Sequence, residues 1–325
     1  MNTLFIHAGL HKTGTSAIQD FCDLNRSFLA EHNIIYPPTY PFQAHHAFAS
    51  RLKGKDAKEI KELVDQYVVL HLSELSADSN VLISSEMLSE GTDPCFLTFF
   101  APYFQKVKII FYLRRQDELL ESAYNQQVKQ NGETRSISDY TPYMVELDKH
   151  LDWYKQTLRE SDEVVVRLYE GSRMTHGNSV HDFIIHCLGI DEDRLSPQSL
   201  ASMPINPSLS VPACLVMARI NSLNLSALAR SRVIDFLLES FSDRSFKSLK
   251  LLADDDEKKL LMQLRESNLR LDSAYLGEAY FSSLVPRNLS YCSPSEAYLL
   301  ARENAVLEEI CTITGVAICW DSLFS

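Results

Sequence analysis

Residues Phe5 to Gln19 read FIHAGLHKTGTSAIQ, and the rest of the chain is organised around them. An apolar strand (Leu4, Phe5, Ile6) runs into a short loop with glycines at Gly9 and Gly14. A helix is expected to open at about Thr15. Strand, glycine loop and helix together aim backbone N–H groups and a helix N-terminus at an anion, usually a phosphate. The Gly9-to-Gly14 spacing matches the nucleotide phosphate loop G-x-x-x-x-G-K-[ST], but here Thr15 follows the second glycine and the lysine sits earlier, at Lys12. Lys12 can still touch a terminal anionic group. What is missing is the Lys-then-hydroxyl order that organises a metal-bound triphosphate. The bland alternative is an ordinary strand–loop–helix turn with capping Thr13, Thr15 and Ser16.

A second feature lies a hundred residues on. Val107 to Leu113 (VKIIFYL) is a continuous apolar run, as expected for a strand buried on both faces of a parallel sheet. It ends in Arg114 and Arg115, and a helical pattern follows through Leu119, Leu120, Ala123, Tyr124 and Val128. Arginines at the carboxyl end of a buried strand lie on the rim where open α/β sheets bind ligands, and Arg114 offers a guanidinium fork suited to phosphate. A metal-organising strand would place an Asp there. The spacing therefore favours a second anion over a metal.

The two motifs together resemble PAPS-dependent sulfotransferases, whose donor is 3′-phosphoadenosine 5′-phosphosulfate (PAPS) and whose nucleotide product is PAP. GLHKTGTS resembles that family's 5′-phosphosulfate loop, and LRRQDELLESAY its 3′-phosphate signature, here Arg114, Ser122 and Tyr124. The resemblance covers roughly the first 190 residues and is nearest to bacterial enzymes related to carbohydrate sulfotransferases. It implies a P-loop NTPase-like sulfotransferase fold and a donor held by His11, Lys12, Thr13, Gly14, Thr15 and Ser16 at one end. At the other end it implies Arg114 and Ser122. Arg115 and Gln116 stand where the family often has Asn-Pro, which leaves two arginines as candidates for the main contact; spacing favours Arg114.

Composition bounds the rest. With 325 residues, 45% hydrophobic and 23% charged, the chain is an ordinary globular protein able to bury roughly three quarters of its unfolded surface. A net charge of −12 argues against nucleic acid and requires a local positive pocket for an anionic donor. The seven cysteines are odd in number and lack C-x-x-C spacing, which reads as reduced thiols of a cytoplasmic protein and not as a zinc site. No run of 18 apolar residues exists for a membrane span, and strand one begins too early to leave room for a signal peptide.

Along the chain, Ala17, Ile18, Phe21, Leu24, Phe28 and Leu29 repeat at helical spacing, and Ile34 to Tyr36 suggest a short strand. Pro37 to Gly54 reads as a long loop whose chemical content is His45-His46; these are two histidines on a solvated loop or helix start, or His46 is an acceptor contact or a proton acceptor. After an amphipathic helix over Lys55 to Leu75, the strand Val81 to Ile83 runs into Ser84-Ser85-Glu86. Glu86 is placed to take a proton from an attacking hydroxyl, where carbohydrate sulfotransferases carry a Glu; otherwise it caps a turn or pairs with a base. A helix over Tyr140 to Leu158, a strand at Val164 to Tyr169 and a helix ending at Gly189 complete an alternating pattern.

These elements predict a doubly wound parallel α/β sheet flanked by helices over residues 1–195. A mainly helical C-terminal part over 196–325 is expected to have a weakly family-like Asn268 and an edge strand at Val316 to Trp320. The expected function is sulfuryl transfer from PAPS, without a metal, to a hydroxyl or amine of a carbohydrate or glycan. Glu86 or His46 would act as base and Lys12 would stabilise the leaving phosphate. A magnesium-dependent sugar kinase and a non-catalytic nucleotide-binding regulator are the alternatives. The sequence leaves acceptor identity and oligomeric state open.

Overall fold

The structure, a computed structural model, describes residues 2–39, 41–73, 76, 78–140, 146–195, 207–223 and 225–324. The chain groups into two compact units: Met1–Arg114 with Glu146–Pro204 and Ser273–Gly277, and Arg115–Val145 with Ile205–Asp272 and Glu278–Ser325. Residues 115–145, expected in the N-terminal core, thus belong with the C-terminal part.

The first unit holds a five-stranded, all-parallel sheet. Its strands are β1 (Thr3–Gly9), β2 (Ile34–Ile35), β3 (Asn80–Ser84), β4 (Lys106–Leu113) and β5 (Glu163–Leu168), in the order β2-β3-β1-β4-β5. β1 is central and pairs with both β3 (Phe5 with Leu82) and β4 (Ile6 with Ile109). Because every strand points the same way, the ends of β1, β3 and β4 emerge on one edge, where α/β sheets bind ligands.

Alternation along the strands feeds two layers of helices. Phe5, Leu82, Ile110 and Tyr112 pack with Ile18 and Phe21 of α1 (Thr15–Leu24) and with Val180 of α8 (Ser179–Asp182). On the other face, Phe111 meets Tyr154 edge-on at 5.2 Å; Tyr154 lies on α7 (Leu147–Lys155). The continuous apolar runs follow from this burial on both faces.

Local boundaries differ from expectation where polar side chains intervene. The first helix breaks at Asn25, whose side-chain amide donates to the Phe21 carbonyl (2.9 Å), and α2 (Arg26–Glu31) restarts from there. The stretch 37–54, expected as a long loop, contains helix α3 (His46–Leu52), and His46 stands at the helix start, one of the two bland readings. Next, α4 (Ala57–His71) opens on a capping box between Asp56 and Glu59, and the short α5 (Phe96–Phe100) follows β3. The helix expected from Tyr140 is α7, and residues 141–145 lie outside the described ones, as do 196–206 of the Ser/Pro-rich connection.

The second unit is helical, with a core of Leu120, Tyr124, Val216, Met217, Ile220, Val233, Leu237, Ala301 and Ile310. Helix α6 (Gln116–Gln126) contributes the first two. A short parallel pair escapes the sequence pattern: Leu249–Lys250 beside Ser290–Tyr291. The edge strand expected at Val316 to Trp320 is absent; Trp320–Phe324 forms a helical turn, with Phe324 stacked on Tyr298 at 5.0 Å. Among the described residues no helix is long and apolar enough to cross a membrane. Cys22, Cys187, Cys214 and Cys292 are buried free thiols.

Candidate functional site

The glycine loop is shaped by three residues with positive φ: Gly9 (88°), Lys12 (67°) and Gly14 (75°). The two glycines have no room for a side chain. A Cβ on Gly9 would lie 2.7 Å from the Glu86 Cβ, and one on Gly14 would lie 2.7 Å from a Tyr169 ring carbon and 2.8 Å from the Ser179 hydroxyl. Thr13 is fully buried and its hydroxyl donates to the Leu10 carbonyl at 2.6 Å, so it closes the turn from inside. Lys12 adopts a conformation that costs an L-residue about 1–2 kcal/mol, and such strain persists only where the surroundings fix it. One of those constraints is Arg114, whose Nη1 donates to the Lys12 carbonyl at 3.4 Å.

Helix α1 then begins at Thr15 with Gly14 as its N-cap. No side chain caps the first turn and no acid sits in it. The first-turn amides of an α-helix lack partners within the helix, so this end carries partial positive charge toward the loop. Thr15 is buried and Ser16 exposed at the helix start.

Glu86 lies just past β3, against Gly9. Its carboxylate is largely buried, 14% exposed. Gln19 of α1 donates from Nε2 to Glu86 Oε2 at 2.7 Å, while His46 Nε2 lies 3.9 Å from Oε1. His46 is oriented through Nδ1 by the Ser85 hydroxyl at 2.8 Å, and Ser85 also accepts from the Met87 N–H. Burial pushes the Glu86 carboxyl up, but the Gln19 hydrogen bond and the nearby His46 and His11 outweigh it and hold the group below its ordinary value. Beneath this layer His7 is fully buried with Nδ1 2.8 Å from the Ser84 hydroxyl; burial presses its pKa to about 4, against a weaker upward pull from Glu86. His7 is therefore neutral near pH 7.

The remaining expected residues fall as follows. His11 turns toward Glu90, with Nε2 3.7 Å from a carboxylate oxygen that Lys53 also approaches at 3.7 Å. Arg114 lies over the Tyr169 ring at 5.8 Å, and Tyr169 extends β5 by donating its N–H to the Leu113 carbonyl at 2.7 Å. Ser122 belongs to the second unit, half-buried on α6, so the site described here is built from first-unit residues alone. In the second unit, Arg115 forks onto Asp117 (2.9 and 2.7 Å) and donates to the Val285 carbonyl. Tyr124 donates to the Arg135 carbonyl, and Asn268 is buried, accepting from Gln116 and donating to the Phe281 carbonyl. Both have structural partners.

Gln19, His7 and Tyr169 were not singled out from the sequence. Gln19 had a signal: it is a polar residue at the i+4 position from Thr15, on a helix face otherwise occupied by Ile18 and Cys22. A Gly9→Ala variant tests the packing of loop on carboxylate. Its backbone strain and the 2.7 Å encounter would displace Glu86. For the reaction proposed below, a displacement near 1 Å lowers turnover about 10²-fold, with far-UV circular dichroism unchanged as the control.

No family model matches the chain. Over 172 residues, 52% of the chain, it is 39% identical to an uncharacterized protein of Archaeoglobus fulgidus; the match covers 46% of that protein, so the chain spans about half its length. Among solved structures, the crystal structure of a sulfotransferase from Alicyclobacillus acidocaldarius is 21% identical. That match covers 71% of this chain and 95% of the other at a TM-score of 0.40.

Proposed function

We propose that the chain is a PAPS-dependent sulfotransferase acting on a hydroxyl of a carbohydrate-like acceptor. The observation that carries this is the packing of Glu86 on Gly9, which sets a proton acceptor against the anion loop, with Arg114 reaching the same loop from the end of β4. The loop fits a phosphosulfate: its glycines leave a bare backbone, its helix start is uncapped and Lys12 stands within it. Arg114 is the first unit's candidate for the 3′-phosphate. When bound, PAPS supplies the sulfuryl group.

The chain's own residues supply the rest. Gln19 holds Oε2 of Glu86, so Oε1, on the His46 side, is the oxygen positioned to take the acceptor's proton. Held below its ordinary pKa, Glu86 is ionised at neutral pH and ready to accept. Lys12 and the first-turn amides of α1 oppose negative charge on the departing phosphate, the kind of preorganised electrostatic help worth about 10²–10³ per donor. Phe42, 52% exposed and 5.7 Å from the His46 ring, offers an apolar face of the type sugars lie against.

The test is transfer of labelled sulfate from PAPS to a panel of glycans and small alcohols. Lys12→Met should lower turnover about 10²–10³-fold on whichever acceptor is active. Labelled PAPS consumed at equal rates by both proteins would remove Lys12 from the chemistry.

A further inference from the structure

Ser85, fully buried just past the end of β3, is held at both its main chain and its side chain. Its backbone N–H donates to the His7 carbonyl of β1 at 3.0 Å. Its hydroxyl oxygen accepts the Met87 N–H at 3.2 Å and lies 2.8 Å from His46 Nδ1. A hydroxyl carries one hydrogen, and a main-chain N–H can only donate. Among the described residues, His46 Nδ1 is therefore the acceptor for the Ser85 hydrogen. Were Nδ1 itself protonated, that hydrogen would be buried without a partner, an arrangement native interiors avoid. The network thus places the ring proton of neutral His46 on Nε2. His46 keeps 22% of its side chain exposed, and its Nε2 stays open where the Nε2 atoms of His7 and His45 are enclosed. Glu86 Oε1 is 3.9 Å from it, too far for a direct hydrogen bond, while Gln19 holds Oε2 at 2.7 Å. One oxygen atom can stand within about 2.7–3.2 Å of both Nε2 and Oε1, accepting from the first and donating to the second.

We propose that Ser85 is a positioning residue that locks His46 as the Nε2–H tautomer, making His46 the donor that holds the acceptor's hydroxyl against Glu86. This rests on the sulfuryl-transfer reading of Glu86. The hydroxyl proton passes to Glu86 Oε1, while His46 keeps its own and is not the base. The pair also selects the acceptor by its hydrogen-bonding capacity. An alcohol oxygen accepts from Nε2–H and donates to Oε1, whereas an alkylammonium can only donate. The acceptor class is therefore an alcohol and not a protonated amine.

The test reads the tautomer directly, by long-range ¹H–¹⁵N correlation of the histidine rings in the nucleotide-free full chain at mildly alkaline pH. His46 is assigned by the signal that His46→Gln removes. The expected ring has a protonated Nε2 and an unprotonated Nδ1, held as one form. Ser85→Ala should draw the two nitrogen shifts toward each other as the forms mix, and Ser85→Thr, which keeps the hydroxyl, should restore them. Sulfate transfer to an alcohol is the second readout. There His46→Gln, which keeps a donor N–H, should turn over about 5–10-fold faster than His46→Ala, the worth of one hydrogen bond. A neutral ring protonated at Nδ1 in the unmodified chain overturns the proposal. So do nitrogen shifts unmoved by Ser85→Ala, or equal turnover of the two His46 variants. Transfer that persists beside an Nδ1–H ring removes this inference alone. An Nε2–H ring in a chain that transfers sulfate to no acceptor removes the sulfuryl-transfer reading, and the acceptor contact of His46 with it.

Discussion

Glu86→Gln is expected to lower turnover by about 10²–10⁴-fold, the usual contribution of a positioned general base, with little change in donor affinity. The substitution is nearly isosteric. Its side-chain oxygen can still accept from Gln19, so the packing on Gly9 should persist and the loss should be chemical. The pH profile supplies an independent check. Burial alone would raise this carboxyl, yet Gln19, His46 and His11 together lower it. With Glu86 as the proposed base, the ionised form is the active one, so the acid limb falls below the ordinary Glu range and activity stays flat through neutrality. The same sign governs stability. A carboxyl depressed in the folded state contributes stability above its unfolded pKa and loses it as pH falls through the folded one. A pH profile whose acid limb survives Glu86→Gln unchanged would remove Glu86 from the proton transfer.

The second large effect lies in the other unit and concerns folding alone. Arg287, 10% exposed, bridges Glu121 at 2.7 Å, Glu257 at 2.8 Å and Asp117 at 3.3 Å. Glu257 also pairs with the fully buried Lys250, and Asp117 with Arg115. Glu121 accepts the N–H groups of Leu251 and Leu252, which ties α6 to the short strand pair. Arg287→Met leaves several carboxylates short of a cation and should destabilise the unit by about 3–5 kcal/mol, because unpaired buried charge costs more than the pair gained. Trp153 and Trp320 are the chain's two tryptophans, so Trp153→Phe leaves Trp320 as a reporter within the second unit. Urea unfolding of that background, with and without Arg287→Met, measures the shift. Adding Glu121→Gln, whose carboxylate pairs with Arg287, to Arg287→Met should recover part of the loss. A midpoint unmoved by Arg287→Met would mean that the network is solvated.

How far these features could be read from the sequence depends on the range of the interaction. Strands β1, β3 and β4 were legible because burial on both faces leaves an unbroken apolar run, β5 by its short Val164–Val166 run, and the glycine loop because its backbone conformation forbids side chains at Gly9 and Gly14. The pairing Leu249–Lys250 with Ser290–Tyr291 was not, since two-residue strands carry no periodicity. Trp320 was misjudged as strand: its β-propensity was outweighed by the Phe324–Tyr298 stack and the Tyr298–Asp321 hydrogen bond. The partners of Glu86 were equally hidden. Gln19 and His46 stand 67 and 40 residues away in sequence, and only the parallel order of β1 and β3 brings them to one carboxylate. Spacing favours Arg114 over Arg115 for the anion while leaving both as candidates, and a local Asp117, two residues on, occupies Arg115.

The most direct measurement of the proposed donor site is calorimetric titration with adenosine 3′,5′-bisphosphate and, separately, with ATP. Both titrations are run with and without magnesium on the unmodified chain and on Arg114→Ala. The bisphosphate should bind more tightly than ATP with no magnesium requirement, and Arg114→Ala should weaken it about 10–100-fold, as expected for charged hydrogen bonds. Preference for ATP with an absolute need for magnesium, together with an Arg114→Ala protein that binds as the unmodified chain does, would contradict the sulfotransferase proposal.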